Sequence, residues 1–235
     1  MVMPVNDEYI CQVTPSVSIF TLSILTTEVF DRIFLVSSSA NDKRAYHHGN
    51  LRQALLDAAL RLLAEVPAAK LSLRELARAA QVSHAAPYHY FSDREALIRA
   101  AGVESMRRLL QAQHQGVNEA HGPRQRLLAL GLAYVRFAAQ EPHCFALVFD
   151  PQYCSPGEPS EEMAPLIAEN ERLLGDCVNQ AQIAGVLPPV PARHLATGLW
   201  GAVHGLAQLT MAGHIDLPAA EAALDALLAA NPHPQ

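Results

Sequence analysis

The chain has 235 residues, half of them apolar and only 6% aromatic, with a formal net charge of −6. That length suits one or two domains with a substantial core, and a composition led by alanine and leucine favours packed helices over sheets. Four cysteines, Cys11, Cys144, Cys154 and Cys177, are scattered without a C-x-x-C pair, so nothing requires a disulfide framework and a reducing cytoplasm is the default compartment.

Divided along the chain, the charge says more. Residues 43–115 carry 11 Lys/Arg against six Asp/Glu, residues 116–235 carry five against 12, and residues 1–42 carry one against five. A segment that binds phosphates must be locally basic, and of the three only residues 43–115 are.

Residues 1–42 contain an apolar, Ser/Thr-rich run, VSIFTLSILTTEVFDRIFLV. Glu28, Asp31 and Arg32 interrupt it, which argues against a membrane span. Asp7 and Glu8 stand where a secretory signal would be basic. We expect a poorly ordered extension; an accessory strand or helix, or translated sequence upstream of the true start, are the alternatives. Lys43, Arg44, His47 and His48 then form a basic arm that can follow phosphates or a minor groove. A solvated lead-in explains them equally well. Asn50 is placed to cap a helix running to Val66, with Leu51, Leu55, Ala58, Ala59 and Leu62 as its apolar stripe and Pro67 as its stop.

The next stretch, SLRELARAAQVSHAAPYHYF at residues 72–91, organises the rest. Ser72 followed by Glu75 is a capping box ahead of Leu73, Leu76, Ala77 and Ala80, so a short helix is expected there. Val82 is the apolar pivot of a turn, and Ser83 is placed to cap a second short helix through Tyr90. Two such helices make a helix-turn-helix, whose second helix can enter a major groove. His84 can present a ring nitrogen to a base edge, while Ala85 and Ala86 permit close approach and methyl contact with thymine. Tyr88, His89 and Tyr90 lie further along, Arg74 sits at the start of the first helix, and Phe91 is expected to turn inward. The alternative is an ordinary helical corner with its aromatics in the core.

The order from Ser72 through Leu-Arg-Glu-Leu-Ala, Val-Ser and Tyr-x-Tyr-Phe to Ser-Asp-Arg-Glu-Ala-Leu resembles the TetR family of one-component transcriptional regulators. The resemblance runs without a gap over residues 46–100. With it, the DNA-contacting set becomes Ser72, Arg74, Ser83, His84, Ala85, Ala86, Tyr88, His89, Tyr90 and Arg94, to which the basic arm read above adds Lys43, Arg44, His47 and His48; Arg74 can equally be an ordinary exposed arginine. Three residues depart from the family pattern. Gln81 stands where the turn usually has Gly, so a side chain would bear a left-handed backbone. Arg94 replaces the usual Lys, keeping the charge but changing its geometry. Pro87 lies in the reading helix, where it costs at most one hydrogen bond near the first turn and acts as a rigid start.

Ser92 and Glu95 read as a second capping box, opening a helix through Leu97, Val103 and Leu110 towards Gln115. The resemblance makes this helix the lever by which ligand binding shifts the reading heads. HQGVNEAHGP, residues 114–123, reads as the polar loop between domains. Helices are then expected from Pro123 to Gln140, over HCFALVFD (residues 143–150), from Glu161 to Ala184, from Pro191 to Ala212 and from Pro218 to Ala230, with residues 151–160 a Pro-rich loop. The fold class is all-α: an extension (1–42), a helix-turn-helix DNA-binding domain (43–92) and a helical regulatory and dimerisation domain (93–235).

Gly198, Gly201, Ala202 and Gly205 mark a face that another helix can approach closely, since glycine in a helix otherwise only costs stability. Trp200, His204 and Gly205 resemble the TetR-family C-terminal type named for Trp-His-Gly. By that resemblance the last two helices pair with those of a second subunit, with Leu209, Leu224, Leu227 and Leu228 contributing; close packing within the chain is the alternative. Tyr134, Phe137, Phe145, Phe149, Met163, Trp200 and His204 can line an apolar effector cavity, or simply form core.

These residues point to a DNA-binding repressor, dimeric because one reading helix spans only a few base pairs. It would bind a palindromic double-stranded DNA operator and leave it on meeting a small-molecule effector. No cofactor, metal or membrane partner is called for. A metal- or thiol-responsive sensor built on Cys144, Cys154 and Cys177 is the alternative. A helical enzyme is less well supported, because H-E-x-x-H, G-x-S-x-G and phosphate-cradling glycine loops are missing.

Overall fold

The computed structural model describes residues 51–154 and 157–229. Asn50, the arm residues Lys43, Arg44, His47 and His48, and the extension 1–42 lie outside them. The described residues are all helix, turn or loop, and all belong to one compact unit spanning residues 46–235. Among them no helix is long and apolar enough to cross a membrane.

Helix α1 (Leu51–Leu63) buries Leu55, Ala58, Ala59 and Leu60 and stops at Leu63, three residues short of the expected end. Ala64, Glu65 and Val66 turn out of it before Pro67, and a 3₁₀ turn follows at Ala68–Lys70. Helix α2 (Leu73–Ala79) buries Leu73, Leu76 and Ala77. The next segment is a 3₁₀ helix of four residues, Ala86–His89, and not an α-helix reaching back to Ser83. Its N-cap is Ala85, which has no side-chain oxygen to offer, and Pro87 removes the donor needed for a regular first turn.

Helix α3 (Arg94–Glu119) is the longest element. Its cap is Asp93 and not Ser92: the Asp93 carboxylate accepts from the Ala96 N–H at 2.7 Å, while the Ser92 hydroxyl donates to Asp93 at 2.9 Å. The helix also runs through most of the stretch expected as an interdomain loop. Gly116 lets α3 and its neighbour touch, since a Cβ there would lie 3.2 Å from the Ala129 carbonyl oxygen, and Val117 is buried beside it. The actual break is Ala120–Gly122, where Gly122 has φ 87° and Pro123 starts the next helix.

Helices α4 (Pro123–Gln140), α5 (Pro142–Phe149), α6 (Ala164–Ile183), α7 (Ala192–Met211) and α8 (Leu217–Ala229) complete the body. Helix α6 starts three residues later than expected because Ser160 caps a turn through Met163 instead. One buried cluster runs without interruption from Leu55 and Leu76 through Phe91, Leu97 and Leu109 to Tyr134, Phe145 and Leu224. A second, around Leu127, Leu173, Val178 and Leu228, fills the far end of the body. The buried leucines of the head and Phe91 belong to the first of these clusters.

The Ala96 backbone N–H holds the Asp93 carboxyl below its ordinary value of 3.8. A carboxyl lowered by folding stabilises the native state above its unfolded pKa, and that contribution is lost as pH falls. Asp93→Ala should thus lower the thermal midpoint at pH 7 while Ser92→Ala barely moves it, and the Asp93→Ala difference should shrink below pH 3.8. Paired melts of the two variants across pH check this.

Candidate nucleic-acid interface

The head is built from short, locally over-determined pieces. The Ser72 hydroxyl accepts from the Glu75 N–H at 3.2 Å, and the Glu75 carboxylate accepts from the Ser72 N–H at 3.0 Å and its hydroxyl at 2.8 Å. This completes the capping box, so the Ser72 side chain is already engaged. At the other end of α2, the Val82 N–H donates to the Ala77 carbonyl and the Gln81 N–H to the Arg78 carbonyl. With Gln81 at φ 55° this is a Schellman ending, a left-handed stop that normally takes glycine.

The chain then turns back at Ser83. The Ala86 N–H donates to the Ser83 carbonyl, and the Tyr90 and Phe91 N–H groups both reach the Pro87 carbonyl. Pro87 and Phe91 are buried, and the Arg52 guanidinium lies 5.9 Å over the Phe91 ring. With those two as the inward anchors, Ser83, His84, Ala85, Tyr88, His89 and Tyr90 are exposed and Ala86 is half-buried. Tyr88 keeps 54% of its surface accessible, so it is not part of the core. An exposed aromatic on a head flanked by cations has the character of a groove-contacting surface.

Arg74 is exposed on α2, together with Arg78 four residues on and Lys70 just before. Among the described residues these three cations have no ion pair. Lys70 and Arg78 are additions to the set read from sequence; the spacing of Arg78 one turn beyond Arg74 was the available signal. Arg94 is differently placed. Its guanidinium donates to the Ala69 carbonyl at 2.7 Å and ties the start of α3 to the turn before α2.

Behind the head, Arg108 of α3 joins three parts of the fold. It donates to Asp57 of α1 at 2.6 Å, and lies 3.4 Å from Glu104 and 3.5 Å from Glu141 at the start of α5. Glu141, His143 and Cys144 offer ligand atoms within 4.8 Å of one another, but the guanidinium beside Glu141 already supplies positive charge there. The three-cysteine sensor is not assembled. Cys144 is buried in the main core and Cys177 in the second cluster, with Cys154 partly buried against the first. Burial pushes all three thiols up, Cys144 to about 12, away from the thiolate that metal binding and oxidation need.

In the body, a cavity of about 50 Å³ lies between α3, α4, α6, α7 and α8. Of the residues expected to line it, Tyr134 and Trp200 do. Phe137, Phe145 and Met163 are buried core instead, packed where the helices meet. Phe149 and His204 join Tyr134 and Phe145 in an aromatic cluster beside the cavity, with ring centroids 4.8 to 6.3 Å apart. The Tyr134 hydroxyl and His204 Nδ1 are 2.8 Å apart. Burial raises the phenol and lowers the imidazole, so both are neutral at pH 7. Gln113 and Asn170 also line the cavity. Gln113 was legible in principle, as a polar residue on the buried stripe after Met106 and Leu110.

The residues expected at a dimer face separate into two groups. Gly198, Gly201 and Gly205 are exposed, and a Cβ at any of them would meet nothing within 4 Å. Packing among the described residues therefore does not account for them. Leu209 and Leu227 are also exposed, whereas Leu224 and Leu228 are buried in their own subunit, and Ala202, Leu224 and Leu228 line the cavity.

A helix-turn-helix head on a helical body is the architecture of a DNA-binding transcriptional regulator. Residues 55–101 match the model described as bacterial regulatory proteins, tetR family, and residues 127–231 match the tetracyclin repressor-like C-terminal domain. The chain belongs to the TetR family of transcriptional regulators. It is 28% identical over 159 residues to the HTH-type transcriptional regulator BetI of Agrobacterium fabrum, covering 66% of this chain and 74% of that protein. A Rhodococcus sp. RHA1 structure of unknown function shares 34% identity at a TM-score of 0.69, covering 80% of this chain and 98% of the other. The regulator FadR from Bacillus subtilis in complex with stearoyl-CoA shares the fold at 16% identity and a TM-score of 0.62, covering 77% and 99%.

The left-handed Gln81 yields a stability prediction. Relieving a side chain of that backbone gains up to ~1 kcal/mol. Gln81→Gly should therefore raise the urea midpoint, and Gln81→Val, β-branched in the same conformation, should lower it.

Proposed function

We propose that the protein is a dimeric repressor that binds a palindromic operator and is released from it by a small molecule bound in the body. The observation that carries this reading is the placement of α3. Its first residue, Arg94, anchors the head; Arg108 in its middle pairs with Asp57 of the head; and Gln113, near its end, lines the cavity. From Arg94 to Gln113 the helix spans about 28 Å as one rigid rod. A ligand that shifts the end of α3 therefore also shifts the groups that hold the reading segment, provided it binds one head placement better than the other. Coupling of this kind is typically ~1–3 kcal/mol.

Within this reading, His84 and Tyr88 read base edges, with Ser83, Ala85, Ala86, His89 and Tyr90 making the close contacts around them. Arg74, Lys70 and Arg78 meet phosphates, and Arg94 supports them from the Ala69 carbonyl. The arm residues Lys43, Arg44, His47 and His48 extend the contact. The open glycine face of α7, with Leu209 and Leu227 beside it, receives the same face of a second subunit, as in the Trp-His-Gly type. That FadR from Bacillus subtilis holds an acyl thioester on the same fold supports a ligand-binding body here.

Enrichment of duplexes from a random pool by the purified protein should return an inverted repeat. His84→Ala or Tyr88→Ala should weaken binding to that duplex by ~5- to 150-fold, corresponding to ~1–3 kcal/mol for a lost base contact, and hardly change binding to an unrelated duplex. Equal losses on both duplexes would remove these residues from the reading role. Gly201→Leu should convert the dimer to monomer in sedimentation while leaving the helical content intact. A wild-type protein that sediments as a monomer at micromolar concentration would overturn the dimer.

A further inference from the structure

The cavity has a definite chemistry. Gln113 is only 3% exposed, and its carbonyl oxygen accepts from the Asn170 amide at 3.4 Å. Among the described residues, no hydrogen bond reaches the Gln113 amide nitrogen or the Asn170 carbonyl oxygen. A donor and an acceptor are thus left side by side on the wall. Exchanging oxygen and nitrogen in both amides leaves one of each again, so the pattern does not depend on how they are oriented. Neither atom is sealed from solvent: both amides line the cavity, so a molecule inside it is offered a donor and an acceptor together.

The rest of the wall is apolar. It is made of leucines, Val203, Ala202 and Gly131, with Tyr134 and Trp200, and among the described residues no Asp, Glu, Lys, Arg or His lines it. The Tyr134 hydroxyl is occupied by His204. A charged molecule entering this space would lose its water and find no counter-ion, whereas a neutral one loses little. The free volume of about 50 Å³ is room for only about three to five waters. The ligand is therefore compact, or it displaces Trp200 and Leu227 at the rim, which are 48% and 42% exposed.

We infer that the cavity selects an uncharged, mainly apolar molecule carrying one polar group that both donates and accepts a hydrogen bond, such as a primary amide or an alcohol, held by Gln113 and Asn170. This rests on the cavity being the effector site of the proposed repressor. It specifies that site's ligand class: neutral, with its polar end against α3 and α6 and its apolar part among the leucines of α4 and α8.

Trp200 is the only tryptophan in the chain, so its emission reports on this cavity directly. Full-length protein is titrated with hexanamide, 1-hexanol, hexanoate and hexyltrimethylammonium at pH 7, with toluene as the apolar reference. Saturable emission changes are expected with hexanamide and hexanol, and at least roughly tenfold weaker binding of the two ions. Gln113→Leu should weaken hexanamide ~three- to tenfold, the loss of one hydrogen bond, and leave toluene within about twofold. Should Gln113→Leu not fold, the half-buried Asn170 serves instead: Asn170→Asp places a carboxylate on the wall and should reverse the preference towards the ammonium. Equal or tighter binding of hexanoate or the ammonium by wild type overturns the inference. So do an unchanged hexanamide affinity in Gln113→Leu, an unreversed preference in Asn170→Asp, and the absence of any saturable response. The same titrations on the enriched duplex separate the two readings. Protein that holds the duplex but ignores every probe overturns the ligand class alone. Protein that binds hexanamide selectively but no duplex overturns the repressor and leaves the chemistry of the cavity standing.

Discussion

Helix α3 runs from the head into the body inside one continuous core, and the rest of the structure depends on that. Its first turns bury Leu97, Ile98 and Ala101 under the head, and its later turns bury Leu109, Leu110 and Val117 in the body. A continuous helix transmits displacement because its backbone hydrogen bonds do not yield one at a time. The Arg108 contacts with Asp57, Glu104 and Glu141 add a lateral tie, partly shielded from solvent, between head and body. Removing one partner of such a group costs more than the pair contributes, because the remaining charges lose their match. The tie thus defines a geometry more than it adds stability.

That arrangement gives the reading segment an unusual support. Four residues of 3₁₀ helix have too few internal hydrogen bonds to hold their own shape. The segment is held from beneath by Pro87 and Phe91, from before by the Schellman ending at Gln81, and from behind by the Asp93 cap of α3. The left-handed Gln81 is a local cost that these contacts offset. An exposed set of His84, Tyr88 and His89 is left presented above these contacts.

The cavity shows a similar division between apolar wall and polar end. Tyr134 belongs to both cavity and aromatic cluster, so movement of His204 or Phe149 on one side reaches the space on the other. Gln113 stands on the same helix as Arg108, little more than one turn further along. The cavity wall and the groups that hold the head therefore share a rod.

By itself the sequence determined the helical class, the helix-turn-helix with its capping box, and the order of the body helices, while the left-handed turn at Gln81 was implied only by the family resemblance. These are local properties: caps, periodicity and turn residues act within a few positions and can be read without knowing what packs where. It misplaced what depends on distant partners. Ser92 and Asp93 are both good caps, and the backbone path alone selected Asp93. HQGVNE looked like a loop because its composition is polar, yet Gly116 against Ala129 and a buried Val117 keep it helical. Phe137, Phe145 and Met163 looked as suited to a cavity as Tyr134 and Trp200 did. Only the packing of five helices separates wall from filling, because an apolar side chain carries no mark of whether its neighbour is another side chain or empty space. For the same reason Gln113 and Asn170, 57 positions apart, became a pair only when α3 and α6 came together.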